Sequence, residues 1–268
     1  MTATVTLHAL RPGTGLPLVL LHAFPLDSRM WDDVAPLLDG PVLAVDLPGL
    51  GAAQGVALPE PSLEAAADAV AAVLAEAGHR GAVVAGLSMG GYVALALAER
   101  HPGLVAGLGL LDTKATADTD EARANRLRVA DAVESSGTVD EVLPMATALL
   151  GAASRERPEL VARLEALIGA QPPAGVAWSQ RAMAARPDRT AVLAGFRGPA
   201  LVLVGDEDQP TPVAEARGMA AALGVEAVVV PGAGHLTAVE APGAVAAALG
   251  ELLGRARGWA RRRPGKSG

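Results

Sequence analysis

The pentad Gly86-Leu87-Ser88-Met89-Gly90 contains the residue with the clearest chemical role in this chain. The apolar run 82–85 predicts a strand that leads into the pentad, and the helical pattern of 92–101 follows it. A serine on such a sharp strand-to-helix turn needs small residues two positions to either side, because the bend leaves no room for side chains. The amide of Met89, in the first turn of the helix, then points to where an oxyanion would form. Ser88 is therefore predicted to be a nucleophile.

A serine hydroxyl is a weak nucleophile at neutral pH, so Ser88 needs a base. Four of the five histidines lie in a strand, at a strand end or at a helix end: His8, His22, His79 and His101. His235 differs, because it lies in the glycine-rich loop Gly232-Ala233-Gly234-His235 directly after the strand-like run 228–230. Such a loop at a strand end can hold an imidazole over the turn of a neighbouring strand. His235 is the predicted base.

The base in turn needs a carboxylate to orient it, and in this arrangement the acid lies between the serine and the histidine in the chain. The buried-strand run 201–204 leads into a loop with three candidates, Asp206, Glu207 and Asp208. Spacing alone does not choose between them.

Together these motifs resemble those of the α/β-hydrolase superfamily, and the resemblance covers nearly the whole chain. It favours Asp208 as the acid, since Gly205-Asp206-Glu207-Asp208 matches the Gly-x-x-Asp pattern that Thr-Pro often follows; Asp206 is the reserve. Leu21-His22-Ala23-Phe24-Pro25 matches the loop that supplies the second oxyanion donor, which the resemblance implies is the Phe24 amide. Ala23 replaces the usual glycine, at a cost of about 1 kcal/mol if that position requires a positive φ. The turn Asp46-Leu47-Pro48-Gly49-Leu50-Gly51 matches one that braces the site.

Short apolar runs alternate with helical patterns along the chain, which indicates a doubly wound, mostly parallel sheet with helices on both faces. Strands are predicted near 4–9, 17–21, 41–46, 82–86, 105–111, 200–204 and 226–230. Ser62 is the predicted N-cap of a helix that ends at Gly78. The fold class that this pattern and the resemblance imply is α/β, an α/β-hydrolase fold with a helical cap insertion.

The alternation stops between residues 113 and 190, where only helical patterns occur, at 122–135, 139–150, 158–168 and 176–185, with a turn at 172–175. An excursion from the carboxyl edge of the sheet is expected to cover the site. We therefore predict a core of 1–112 and 191–256, a cap of 113–190, and a basic, disordered tail of 257–268. Tentative pocket residues are Trp31, Met145, Trp178 and Met183.

The amino-acid composition limits the classes of protein to which this chain can belong. The 268 residues, 51% hydrophobic, are enough for one large α/β domain, and the absence of cysteine excludes disulfides and thiolate chemistry. The net charge of −7 argues against nucleic acid as a partner, and no apolar run approaches the roughly 20 residues of a membrane span. The start of the chain lacks the pattern of a signal peptide, so a cytoplasmic location is expected. The basic tail fits a solvated terminus better than an arm for anionic membranes or nucleic acid.

The predicted function is a cofactor-independent serine hydrolase, without metal, that cleaves a small ester or lactone through an acyl-enzyme on Ser88. Within the superfamily, the sequences of residues 22–31 and 232–242 most resemble those of small bacterial enzymes related to 3-oxoadipate enol-lactonase. Cofactor-free haloperoxidase-type esterases and carboxylesterases share the same motifs. Two alternatives remain open: a receptor-like protein that binds a ligand without turnover, and a carbon–carbon bond hydrolase with the same triad. The sequence does not indicate an oligomeric state.

Overall fold

The computed structural model describes residues 4–262. It contains seven strands, at the positions that the apolar runs of the sequence predict. They are β1 (Thr6–Arg11), β2 (Leu18–Leu21), β3 (Val42–Asp46), β4 (Ala82–Leu87), β5 (Val105–Leu111), β6 (Ala200–Gly205) and β7 (Ala227–Val230). They pair in one sheet in the order β1-β3-β2-β4-β5-β6-β7. Only β1 runs antiparallel to its neighbour, so the predicted mostly parallel sheet is confirmed.

The central strands are buried on both faces, which explains why they appear in the sequence as continuous apolar runs and not as alternating patterns. Every residue of β2, β3, β4 and β6 is buried. Because β4, β5, β6 and β7 are mutually parallel, their carboxyl ends meet at one edge of the sheet. Ser88, Asp208 and His235 all follow strands at this edge.

Besides three short 3-10 helices, eleven α-helices are present in the described part of the chain. They are α1 (Leu63–Glu76), α2 (Met89–Arg100), α3 (Asp120–Ser136), α4 (Met145–Ala148), α5 (Ala152–Arg155), α6 (Pro158–Gly169), α7 (Pro173–Ala185), α8 (Thr190–Gly195), α9 (Val213–Leu223), α10 (Thr237–Glu240) and α11 (Pro242–Arg262). The N-cap prediction for α1 holds, because Ser62 Oγ accepts a hydrogen bond from the Ala65 amide at 3.2 Å. Gly78 follows the end of α1 with φ +83°.

All the secondary structure between β5 and β6 is helical, and α3 packs along α7. Two local predictions there are wrong. Residues 139–150 do not form one helix, since only α4 is helical; Pro144 lacks an amide hydrogen and lies at the start of that short helix. Pro173 does not belong to a turn but begins α7, where its fixed φ suits the first helical position. The division of the chain into a core and a cap domain stays a prediction.

Three residues fasten this helical segment to the sheet side of the molecule. Gln171 Nε2 donates to Asp27 Oδ2 at 2.7 Å, and its Oε1 accepts from the Gly51 amide at 2.9 Å. A Cβ on Gly175 would lie 2.0 Å from the carbonyl oxygen of Gly49, so the two backbones touch. Further along α7, the Trp178 indole donates to a main-chain oxygen in the loop before α1.

The C-terminal helix α11 extends to Arg262, so the prediction of a disordered tail is wrong for residues 257–262. Ala256, directly before this stretch, is fully buried, and residues 257–259 of the helix are partly buried. The remainder of the predicted tail, 263–268, lies outside the described residues. No helix within residues 4–262 combines the length and apolar character that crossing a membrane requires.

Candidate active site

Ser88 lies at the tight junction between β4 and α2 and has an unusual backbone conformation, with φ 54° and ψ −114°. A positive φ is uncommon for a residue with a side chain and is found where the surrounding structure enforces it. Two hydrogen bonds do so here: the Ser88 amide donates to the Leu111 carbonyl at 2.9 Å, and Thr113 Oγ1 donates to the Ser88 carbonyl at 2.8 Å. Leu111 is the last residue of β5 and Thr113 lies two residues beyond it, so the neighbouring strand fixes the turn.

The two glycines of the pentad have no room for a side chain. A Cβ on Gly86 would lie 2.1 Å from backbone atoms of Gly90, and a Cβ on Gly90 would lie 2.2 Å from the Leu21 carbonyl oxygen. Backbone atoms cannot move aside as a flexible side chain would. The spacing of small residues that predicts the turn is thus a packing requirement of this structure.

The structure brings Ser88, His235 and Asp208 into one hydrogen-bonded chain. Ser88 Oγ lies 2.8 Å from His235 Nε2, and His235 Nδ1 lies 2.9 Å from each carboxylate oxygen of Asp208. His235 and Asp208 are buried, whereas Ser88 is partly exposed. An imidazole that donates from Nδ1 to the carboxylate has a lone pair on Nε2 to accept the serine proton.

Asp208, and not Asp206, lies against the histidine. Thr211 fixes it from the other side: the Thr211 amide donates to Oδ1 at 2.9 Å and its hydroxyl donates to Oδ2 at 2.6 Å. Asp206 instead accepts from the amide of Gly232 at 2.7 Å at an exposed position. The Thr-Pro that often follows the Gly-x-x-Asp pattern is Thr211-Pro212 here, and an Asp three residues before a Thr is typical of such local hydrogen bonds.

Two amides are candidates for an oxyanion hole, those of Phe24 and Met89. Met89 is the first residue of α2, where an amide has no intrahelical acceptor. Within residues 4–262, neither amide donates a hydrogen bond to another atom of the chain. Ala23 does not adopt a positive φ, so the expected penalty for replacing glycine there does not arise. Its amide is used elsewhere, as a donor to Met30 Sδ at 3.2 Å.

The loop that carries Phe24 is anchored by the fully buried His22. The Nε2 atom of His22 accepts from the Leu47 amide at 2.9 Å, which leaves Nδ1, 3.0 Å from the Ala23 carbonyl oxygen, to act as the donor. Burial lowers the pKa of His22, which favours this neutral form. The neighbouring Asp46 carboxylate accepts from the Ser28 amide at 2.7 Å, as expected of a bracing turn.

A second carboxyl group, Asp112, lies behind the triad at the end of β5. It is fully buried and has a positive φ of 44°. Its Oδ1 accepts from the Gly205 amide at 3.0 Å, and its Oδ2 pairs with the Thr237 hydroxyl. Burial, and then the charge of Asp208, raise the pKa of Asp112 well above its usual range. Asp112 thus links the loop that carries the acid to the loop that carries the histidine.

The four tentative pocket residues lie in different surroundings. Trp31 is fully buried in the core and its indole nitrogen has no partner among the described residues, so it does not line an open pocket. Trp178 is buried with its indole donating to the Pro59 carbonyl at 2.7 Å. Met183 is buried, and its sulfur accepts from Arg126 at 3.4 Å. Met145 is partly buried. For the last three a pocket role stays a prediction.

Comparison with known proteins places the chain in a family. The sequence profile described as the alpha/beta hydrolase family matches residues 18–248, and the chain belongs to that family. It is 33% identical over 255 residues to 2-succinyl-6-hydroxy-2,4-cyclohexadiene-1-carboxylate synthase of Enterobacter sp. (strain 638), which covers 89% of this chain and 92% of that protein.

Solved structures agree with this assignment. A thermophilic esterase from Thermogutta terrifontis superposes with a TM-score of 0.87 at 38% identity, covering 94% of both chains. The enol-lactonase from Burkholderia xenovorans LB400 has a TM-score of 0.80 at 24% identity, covering 93% of this chain and 96% of that one, and shows the shared fold. The protein is therefore an enzyme of the alpha/beta hydrolase family with an esterase among its relatives.

Proposed function

We propose that this protein is a serine hydrolase that cleaves an uncharged carboxylic ester or lactone through an acyl-enzyme on Ser88. The observation that carries the proposal is the hydrogen-bonded chain from Ser88 Oγ through His235 to Asp208, with distances of 2.8 and 2.9 Å. The esterase relative supports the same bond type.

In the first half of the reaction, Ser88 Oγ attacks the carbonyl carbon while its proton passes to His235 Nε2. Asp208 orients the imidazole and stabilises the imidazolium that forms. The Phe24 and Met89 amides donate to the oxyanion of the tetrahedral intermediate. The intermediate then collapses, the carbon–oxygen bond of the ester breaks, and His235 returns the proton to the departing alkoxide.

In the second half, water attacks the acyl-enzyme carbonyl and gives a proton to His235. The second tetrahedral intermediate collapses, Ser88 Oγ leaves and regains its proton from His235, and the carboxylic acid is released. With a lactone, the alcohol remains attached to the acyl group and leaves together with the acid. The chain supplies nucleophile, base and acid itself, so the proposal requires neither metal nor organic cofactor.

The arginines of the predicted cap support an uncharged substrate. A cap arginine such as Arg181 would be a suitable group to bind a substrate carboxylate, but Arg181 pairs with Asp131 and Glu134 on α3. Each of the nine arginines between residues 113 and 190 has an acceptor within this chain: Arg123, Arg126, Arg128, Arg155, Arg157, Arg163, Arg181, Arg186 and Arg189. The Enterobacter relative is named for a carboxylate product, so this feature favours an esterase over that activity.

A fluorophosphonate probe tests the proposed nucleophile directly. We expect mass spectrometry to locate the adduct on Ser88 and Ser88→Ala to abolish labelling. Ser136→Ala provides a matched control, since Ser136 lies at the end of α3 and bonds only to nearby residues. Labelling that survives Ser88→Ala undiminished would contradict the proposal.

Turnover of short p-nitrophenyl esters and of a lactone panel separates the alternatives. An esterase or lactonase completes many cycles, whereas a receptor with an intact triad releases product once and stops. Hydrolysis of a 1,3-diketone in the absence of ester hydrolysis would instead identify carbon–carbon bond cleavage.

A further inference from the structure

The loop that carries His235 is bonded to the segment after α4, which belongs to the predicted cap. The His235 amide donates to the Leu149 carbonyl at 2.7 Å. A Cβ on Gly151 would lie 2.8 Å from the Gly232 oxygen, and a Cβ on Gly234 would lie 2.4 Å from the Gly151 nitrogen. The two backbones are therefore in direct contact, and glycine on each side permits it.

The Glu240 carboxylate joins these two segments. Its Oε1 accepts from the amides of Gly234 and Leu236, at 3.0 and 3.2 Å, which are the residues on either side of His235. Its Oε2 accepts from the Gly151 amide at 2.8 Å. Glu240 ends α10, whose own backbone returns a hydrogen bond to Leu236 at 3.0 Å. One side chain thus holds three amides around the histidine.

We propose that Glu240 is a positioning residue for His235, which fixes the imidazole by tying both flanks of its loop to residue 151. The proposal rests on the proposed serine hydrolase function. Three amide donors converge on one carboxylate, and such charge-assisted hydrogen bonds are stronger than neutral ones. Without them, the amides of Gly234 and Leu236 lose their acceptor, and the bond from the His235 amide to the Leu149 carbonyl remains to hold the loop against this segment. Asp208 would then orient an imidazole whose backbone is less firmly fixed relative to Ser88.

Glu240→Gln tests this role with little change in size. One oxygen remains for Gly234 and Leu236, but the new NH2 group faces the Gly151 amide, and two donors cannot bond to each other. We expect kcat to fall about 10- to 100-fold, because misplacement of a catalytic group by about 1 Å costs a factor of that order. KM should stay within about threefold, since Glu240 acts on the base.

Glu207→Gln is the matched control. Glu207 accepts from the next cap amide, that of Ala152, at 2.6 Å, but it lies at an exposed contact and does not bond to the amides that flank His235. We expect its kcat to stay within about twofold of wild type. Rates of fluorophosphonate labelling at 25 °C should follow the same order, because phosphonylation of Ser88 also requires His235 as the base. Circular dichroism checks that each variant is folded at that temperature.

A second variant tests the same contact with Glu240 intact. Gly151→Ala places a methyl group against the backbone at Gly232 and Gly234, and we expect it to lower kcat at least fivefold. At Gly195 a Cβ meets nothing within 4 Å, so Gly195→Ala is its control.

The outcomes separate the two proposals. If wild type is labelled at Ser88 but Glu240→Gln keeps the kcat and labelling rate of Glu207→Gln, the positioning role is overturned, even if the melting temperature falls. Unchanged kcat in Gly151→Ala overturns it as well, and decides the matter should Glu240→Gln fail to fold. If wild type is not labelled at Ser88, it is the proposed function that fails.

Discussion

Replacing Asp112 by alanine should destabilise the protein far more than replacing it by asparagine. Asp112 is fully buried and satisfies the Gly205 amide and the Thr237 hydroxyl, with its backbone at φ 44°. Asparagine has nearly the shape of a protonated carboxyl group, keeps an acceptor and a donor, and tolerates a positive φ. Alanine has neither polar group, and it carries the cost of a positive φ without any local hydrogen bond.

The magnitudes follow from those contacts. In Asp112→Ala, the unsatisfied buried amide costs about 1–3 kcal/mol, and the positive φ adds about 1–2 kcal/mol. We therefore expect the free energy of unfolding to fall by roughly 2–5 kcal/mol. For Asp112→Asn at pH 5, we expect a change below about 1 kcal/mol.

The pH dependence carries a definite sign. Burial and the charge of Asp208 raise the pKa of Asp112 in the folded state, so above the unfolded-state pKa of about 4 the unfolded chain has lost a proton that the folded chain retains. Stability of the wild type then falls as pH rises towards the folded pKa, by about 1.4 kcal/mol per pH unit from this group. Asparagine does not titrate, so the stability of Asp112→Asn relative to the wild type should rise by about 1.4 kcal/mol per pH unit.

Urea denaturation of both proteins between pH 4 and pH 8 measures the difference, in which contributions from groups that do not interact with Asp112 cancel. A difference that stays constant across that range would refute the reasoning, because it would mean that Asp112 titrates alike in both states. An ionised, stabilised carboxylate, with a pKa below that of the unfolded state, would also give a constant difference above about pH 5, and it would contradict the reasoning equally.

Three further outcomes are expected. Asp208→Asn should lower kcat by orders of magnitude and Asp206→Asn should retain most of it; the reverse ranking in ester hydrolysis would move the acid to Asp206. Trp178→Ala should cost about 3–5 kcal/mol of stability, because the ring is buried and bonded to the core side; unchanged urea stability with altered selectivity between small and bulky esters would make it a pocket residue. Burial lowers the pKa of His22 and favours its neutral form, so the free energy of unfolding of the wild type should fall below about pH 6.5, by at most about 1.4 kcal/mol per pH unit. His22→Gln should remove this contribution to the pH dependence of stability in denaturation experiments.

The strands and the serine turn could be predicted because both are encoded locally. The apolar runs are buried on both faces, and Gly86 is required by its contact with Gly90 at the turn itself. The contact that requires Gly90 is with Leu21 in β2, but the spacing of the two glycines around Ser88 is a local signal. The edge at which Ser88, Asp208 and His235 meet followed from parallel pairing, which places strand ends together.

The supporting residues could not be predicted in the same way, because their partners are far away in the chain. Asp112 bonds to an amide 93 residues later, and Glu240 to one 89 residues earlier. Nothing near Trp31 in the sequence distinguishes an aromatic residue of the core from one that lines a pocket. The break at Pro144 has a local signal, but the apolar residues around it suggested a longer helix.

The fastening of the helical segment between β5 and β6 determines how this protein can be recombined with its relatives. Its contacts pair Gln171 with Asp27, Gly175 with Gly49, and Gly151 with Glu240, so one half of each lies outside the segment. A chimera that received only residues 113–190 from a relative would keep its own Asp27, Gly49 and Glu240, so each of the three contacts would form only where the donor segment supplies the matching residue. Transferring the partner residues together with the segment, up to and including the loop that carries His235, keeps the three contacts intact.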